Sequence, residues 1–321
     1  MTLSLESLSI IAVYSAMAVY TVAFILFAMD LARRSAPAPA TASVGAQSAA
    51  ASGGSTAVLE KADAPAKPAK GPRYLRAAMA IMTLAWLLHV AGTVMRGIAA
   101  ERVPWANMYE FSLTATAIIV GVFLAVQVWQ DLRFLGVFVS GLALIWLGIA
   151  SVNFYVAIVP LAPSLQSVWL VVHVFVATLG TGFFALGAGL SIVQLIQTRR
   201  AAGAASGLSF MRTLPGADAL ENLAYRVNIV GFVFWSFTLM AGAIWAERAW
   251  GRYWGWDTKE VWTFVIWVVF AGYIHARATR GWRGSRSAWL AIIGFAAVIF
   301  NFVVVNLFFK GLHAYSGLPT S

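Results

Sequence analysis

Eight separated runs of about 20 mostly apolar residues constrain this chain more than any other feature. They lie at 8–31, 75–98, 110–130, 133–152, 167–196, 221–246, 261–279 and 287–309. Hydrocarbon offers no water to backbone N–H and C=O groups, so such runs must pair them internally as helices. The expected fold is therefore all-α: a polytopic membrane helix bundle of about eight transmembrane helices. Only 11% of the residues are charged, where a soluble domain carries roughly a quarter, and this excludes a soluble fold. The first run, Leu8 to Met29, lacks a basic leading region and is long enough to span. It is expected to be a retained helix rather than a cleaved signal.

Three regions follow. Residues 1–33 are an N-terminal transmembrane helix. Residues 34–73, rich in Ala, Pro, Ser and Lys, are expected to be a flexible cytoplasmic linker. Residues 74–321 form the transmembrane core. The net charge of +10 suggests nucleic acid until its charges are placed. With the N-terminus outside, 16 of the 22 Lys and Arg residues fall on the cytoplasmic side, the asymmetry that orients membrane proteins. No nucleic-acid partner is expected. The same orientation places 99–109, 153–166, the stretch after 246 and the C-terminal tail outside. Cysteine is absent, so the chain holds no disulfide, thiolate-bound metal or thiol relay of its own.

One external loop carries an unusual aromatic density. Trp250-Gly251-Arg252-Tyr253-Trp254-Gly255-Trp256-Asp257 puts three indoles, a phenol and an acid between the sixth and seventh runs. Tryptophan at a membrane boundary is often an interfacial belt, but a belt does not require this packing. Flat indole faces beside close-folding glycines suit a planar apolar ligand with polar edges, such as a porphyrin. The chain has four histidines. His173, about two turns into the fifth span, and His313, after the eighth, flank the loop on the outer side. His89 and His275 lie within the second and seventh spans. His275 sits roughly 20 Å below the outer edge of its helix, whereas counting from Arg76 places His89 nearer the outer half. Intramembrane histidines often only hydrogen-bond between helices. Four that sort into an outer and an inner pair suit axial ligation of iron from both faces.

Other polar residues have competing readings. Arg252 and Lys259 either pair with carboxylates of a ligand or are solvated loop charges. Asn107 and Glu110 either shape a cavity, or Glu110 simply caps a helix start. Arg96, near the outer end of the second span, reads as a snorkelling side chain. The many Phe and Trp within the spans read as packing and belt residues.

The stretches WGRYWGWDTKEVWTFVIWVVFAGYIHAR at 250–277 and FNFVVVNLFFKGLHAYSG at 300–317 resemble the CcsA (ResC) family of System II cytochrome c biogenesis. LQSVWLVVHVFVATLG at 165–180 and PWANMYEF at 104–111 fit as well. The likeness runs from about the second span onward. Thr258 and Ala314 stand where the family usually has Pro and Ser; neither is a ligand. The resemblance implies a haem-handling core at 74–321 with its Trp-rich loop at 247–260. His173 and His313 become the external pair that ligates haem b beside the loop. His89 and His275 become the transmembrane pair that receives it from the cytoplasmic side. Trp250, Trp254, Trp256 and Asp257 become the core of the haem platform.

The same resemblance implies an activity and partners. Haem crosses the membrane and is presented for thioether attachment to the Cys-x-x-Cys-His segment of apocytochrome c. One external histidine yields to the histidine of the substrate. Positioning supplies the rate, so no dedicated acid or base is needed. The chain would be a cytochrome c haem lyase subunit, active with a CcsB (ResB) partner, and thiol reduction would come indirectly from thioredoxin-like proteins. The Ala-rich linker favours a bacterial inner membrane over a thylakoid. Rival readings are a CcmC-like haem chaperone, against which Lys259-Glu260 stands, and a di-haem cytochrome b, which would carry two histidines on one span. A cofactor-free assembly subunit is a third.

Overall fold

In the computed structural model, residues 4–34, 73–203, 209–279, 281–313 and 315–318 are described. Eight α-helices account for most of them: α1 (Leu5–Arg34), α2 (Arg73–Ala99), α3 (Met108–Val126), α4 (Gly136–Asn153), α5 (Val168–Ala201), α6 (Ala217–Trp250), α7 (Thr258–Thr279) and α8 (Ser285–Phe308). Each is part of a segment long and apolar enough to cross a membrane, and no strand occurs among the described residues. The chain is a multi-pass membrane protein. All eight expected spans are helical, with ends shifted by a few residues. The linker expected at 34–73 lies, apart from its two end residues, outside the described residues.

The helices differ in depth. Two-thirds (67%) of the apolar window of α3 is buried, against 17% for α7, so α3 is central and α7 peripheral. The α3 helix packs on α2, α4 and α5; α5 packs on α6 and α8; α7 touches α6 and α8; α1 lies against α2 and α4. The first two helices run antiparallel. Ser9 Oγ donates to the Gly92 carbonyl at 2.8 Å, while the Arg33 guanidinium stacks 4.0 Å over the Tyr74 ring.

Alternating helix direction gathers four connections at one end of the bundle: 100–107, 154–167, 251–257 and 309–318. Contacts among them seal that end. Met108 N–H donates to the Ser316 carbonyl at 3.2 Å, Ser164 and Tyr315 share a hydroxyl hydrogen bond of 2.9 Å, and Leu312 N–H donates to Asp257 Oδ2 at 2.9 Å. The opposite end is tied by Glu221, which accepts from Arg277 Nε at 3.1 Å and from Gly284 N–H at 2.7 Å.

Arg96 does not snorkel. It is fully buried, with Nε on Glu110 Oε1 at 3.2 Å, Nη1 on Glu6 Oε1 at 3.0 Å and Nη2 on the Val156 carbonyl at 2.7 Å. Arg102 also grips Glu110. Glu110 therefore does not cap α3; Asn107 does, its side chain accepting from Glu110 N–H at 2.9 Å. The cluster fastens α1, α2, α3 and the 154–167 connection together and fixes the 104–107 segment.

Candidate functional site: a cavity under the aromatic loop

The turn that begins α7 organises the site. Asp257 and Glu260 are spaced as a capping box, in which each side chain satisfies a free N–H of the helix start. Asp257 Oδ1 accepts from Lys259 N–H at 3.0 Å, and Glu260 Oε2 accepts from Asp257 N–H at 3.0 Å and Gly255 N–H at 2.8 Å. Glu260 Oε1 accepts from Arg252 Nη1 at 3.3 Å. The aromatic loop is thus held from both sides by one carboxylate.

Asp257 reaches further, to the segment after α8. Its Oδ1 lies 3.0 Å from His313 Nδ1. The approach needs Gly311, because a Cβ there would sit 2.2 Å from Asp257 Oδ2. Burial pushes the Asp257 carboxyl up. The hydrogen bonds from His313 and from the Lys259 and Leu312 amides outweigh that and hold it at about 2, so it is a carboxylate near neutrality. Burial dominates at His313 and lowers it below its ordinary value, against the pull of Asp257. Its imidazole is therefore neutral near pH 7.

His173 is fixed differently. Its Nδ1 lies 3.0 Å from the Thr238 carbonyl on α6. A carbonyl only accepts, so Nδ1 carries the proton and the Nε2 lone pair is free. Gly242 makes room: a Cβ there would lie 2.7 Å from the imidazole. The ring stacks on Trp245, centroids 5.8 Å apart and planes inclined by 21°. His313 meets the same Trp245 edge-on at 5.3 Å and Trp250 at 4.7 Å.

Both histidines line one cavity of about 230 Å³. Trp105, Trp146, Trp245, Tyr253 and Trp254 contribute aromatic wall; Asn107, Lys259, Glu260 and Asn306 contribute polar groups. Neither Nε2 of the two histidines has a hydrogen-bond partner among the described residues.

The expected platform residues separate by position. Trp254 lines the cavity and Asp257 orients His313. Trp250 packs behind His313. Trp256 is 76% exposed with a left-handed backbone (φ 60°), and touches Trp254 edge-on at 5.9 Å. Of the other two histidines, His89 is fully buried, its Nδ1 3.4 Å from Tyr20 Oη on α1 and its Nε2 without a partner. His275 is exposed on α7, one turn from that helix's end. These two sit on helices with different neighbours, α2 on α1 and α3, α7 on α6 and α8. The fold thus brings His173 and His313 to one cavity; His89 and His275 face different surroundings.

A model of the family described as cytochrome c assembly protein matches residues 105–313. The chain belongs to this family. It is similar to the cytochrome c biogenesis protein CcsA of Gloeobacter violaceus, 32% identical over 285 residues, covering 72% of this chain and 84% of that one. The CcsA of Guillardia theta is 32% identical over 269 residues, covering 78% and 89%. The resemblance to CcsA is confirmed, and the chain's place is in cytochrome c biogenesis. The solved structure of the cytochrome c haem lyase CcmF shares the fold, with a TM-score of 0.63 at 15% identity. That likeness covers 94% of this chain, which spans 47% of the longer CcmF chain. The family match begins at Trp105, on the cavity wall, and ends at His313. It contains His173, the aromatic loop and His275, and leaves out His89 and α1.

Two neutral imidazoles, each with Nδ1 committed to an acceptor and Nε2 free, form a donor set that suits the iron of a porphyrin. Aromatic walls suit its macrocycle. Trp245 and Thr238 complete the site although no motif marks them, and so does Asn306, which lies in the 300–317 stretch but was not singled out. Trp245 had the appearance of one more packing tryptophan in a span, and Thr238 acts through its backbone. The Asp-x-x-Glu spacing at 257–260 was a usable signal for the turn.

Proposed function

We propose that this chain is the haem-presenting subunit of a cytochrome c synthase, with haem b held between His173 and His313. The observation that carries the reading is the shared arrangement of the two imidazoles. Both line one cavity, each has Nδ1 anchored, and each leaves Nε2 free. When bound, haem supplies the vinyl groups to which apocytochrome thiols add, and the redox chemistry of its iron. The protein supplies position. Thr238 and Asp257 fix the two rings, Trp245 stands between them, and Trp254 and Tyr253 wall the cavity toward the loop. Asp257 keeps the proton of His313 on Nδ1, so that Nε2 stays a donor to metal.

The remaining parts of the reading follow the family resemblance. Residues 74–321 act as the haem-handling core and 1–33 as an accessory span. The aromatic loop and C-terminus face outside and the 34–73 linker faces the cytoplasm of a bacterial inner membrane, because most basic residues then lie inside. His89 and His275 serve haem on its way to the outer site. With no cysteine in the chain, thiol reduction comes from other, thioredoxin-like proteins; the family resemblance adds a CcsB partner and apocytochrome c. The CcsA relatives favour this reading over a CcmC-like chaperone.

Co-expression with a CcsB partner and an apocytochrome tests it. Wild type should give covalent haem by gel stain, and His173→Ala and His313→Ala should lose it while changing the absorption spectrum of the purified complex. Full loading with an unchanged spectrum in both variants would remove the site from the reaction. Reporters fused after Gly203 and after Ser321 test sidedness: the first should behave as cytoplasmic and the second as external.

A further inference from the structure

We propose that Lys259 is the cation that receives a carboxylate of the bound ligand, one haem propionate, while Arg252 is not. This rests on the haem reading above. Sequence alone left Arg252 and Lys259 equivalent; the structure separates them. Arg252 already faces Glu260. Glu260 is engaged elsewhere: one oxygen accepts from Arg252 and the other from two backbone amides. Asp257 is committed to His313 and to the amides of Lys259 and Leu312. Among the described residues, no carboxylate oxygen lies within 4.0 Å of Lys259 Nζ. Its hydrogen-bond partner is the neutral Asn306 Oδ1.

An ammonium has three N–H donors. Two are left over, and they belong to a part-buried charge on the wall of the cavity that holds both histidines. Asp257 acts on Lys259 through space, but no carboxylate touches the ammonium; a cation partly withdrawn from water with two donors open is costly, and an incoming anion offsets that cost. Glu260 and Asp257 line or border the same cavity, so an anion finds a welcome only at the Lys259 side. A planar ligand gripped through its iron by His173 and His313, with an acidic edge at Lys259, is fixed in rotation as well as in position. Lys259 is then a positioning residue that decides which edge of the macrocycle faces the exit.

The test compares haem with its dimethyl ester, in which both propionates are neutral and the iron and macrocycle are unchanged. Each is titrated into the purified full-length chain in nanodiscs and followed in the Soret band. Wild type should bind haem about tenfold or more tightly than the ester, as expected for a hydrogen bond to a charged group. Lys259→Met should weaken haem to the level of the ester and leave the ester unchanged. Lys259→Arg should retain the preference, and Arg252→Gln should retain it too. An undiminished preference in Lys259→Met, or none in wild type, overturns the assignment, even when the spectrum still depends on His173 and His313. If that spectral dependence is itself missing, the haem reading has failed and the assignment falls with it. Should Lys259→Met not accumulate, Lys259→Gln, which removes the charge but can still hydrogen-bond Asn306, takes its place with the same expected loss and the same overturning result.

Discussion

Two clusters of buried charge lie at the same end of the bundle, and they are built to opposite rules. Around Glu110, every charge faces an opposite charge of the protein, and Arg102 Nε is the one donor of the cluster left without a partner among the described residues. Arg96 meets Glu110, Glu6 and a carbonyl; Glu110 meets two guanidinia and the Ala106 amide. Around Asp257, the answers stop short. The Nε2 atoms of His173 and His313 and two donors of Lys259 have no partner among the described residues. A buried polar group left open costs stability unless something else completes it. The first cluster is therefore a fastening, and the second has the open groups of the receptor proposed above. The difference separates structural polar residues from functional ones more sharply than burial does, because Arg96 and Glu110 are the deeper set.

The largest effect is expected at the fastening. Glu110→Ala leaves Arg96 buried with only Glu6 and a carbonyl, and Arg102 with no carboxylate. Removing one partner of a buried pair costs about 3–5 kcal/mol. The variant should melt well below wild type in detergent and accumulate poorly. Arg96→Met should cost less, since Glu110 keeps Arg102. A Glu110→Ala protein that melts like wild type would mean the cluster is hydrated and fastens nothing.

Substitutions at the receptor should show the converse: function lost and the bundle intact. Trp254→Ala and Asp257→Ala should abolish covalent haem attachment while the protein stays inserted; Trp254→Ala should cost little stability, and Asp257→Ala more, because it removes the hydrogen bonds to His313, Lys259 and Leu312. Disappearance of both variants from the membrane would make the loop a fastening too. Both clusters would then be fastenings.

How far the sequence could see follows the same division. The eight spans were legible because hydrocarbon imposes length and apolarity on every one of them. His173, His313 and Asp257 were legible through the residues around them. Arg96 was misread. A single arginine near a span end looks the same whether it snorkels or pairs, and its partner Glu110 is brought to it only by the fold. Trp245 was lost among other tryptophans for the same reason. Its meeting with both histidines depends on α6 lying between α5 and the tail after α8. Nor could spacing alone divide Lys259 from Arg252, since what divides them is which carboxylate is already occupied.

Rescue by added ligand sharpens the contrast between the histidines. His173→Gly and His313→Gly open space beside a cavity that already exists, so free imidazole should enter and restore a substantial part of haem attachment. His89→Gly opens space among α1, α2 and α3, where His89 is fully buried. Imidazole should restore less there, and the variant should retain little haem rather than perturbed haem. Equal rescue at all three positions would place His89 at a cavity as open as the outer one.

The smallest effect is expected at Trp256, and it tests how the loop divides its aromatics. Trp256 is exposed, turned outward by a left-handed backbone that bulky residues seldom adopt. Trp254, two positions away, lines the cavity. Trp256→Ala should leave the melting temperature within the range of an ordinary surface substitution, about 0.5 kcal/mol, and the haem spectrum unchanged. Trp256→Gly should match or exceed Ala in stability, because glycine adopts that backbone without strain. Loss of bound haem in Trp256→Ala comparable to that in Trp254→Ala would show that the loop folds inward over its ligand and that the outward tryptophan belongs to the receptor. Retained haem with slowed attachment would place Trp256 on the face that meets apocytochrome, beyond the cavity whose wall Trp254 forms.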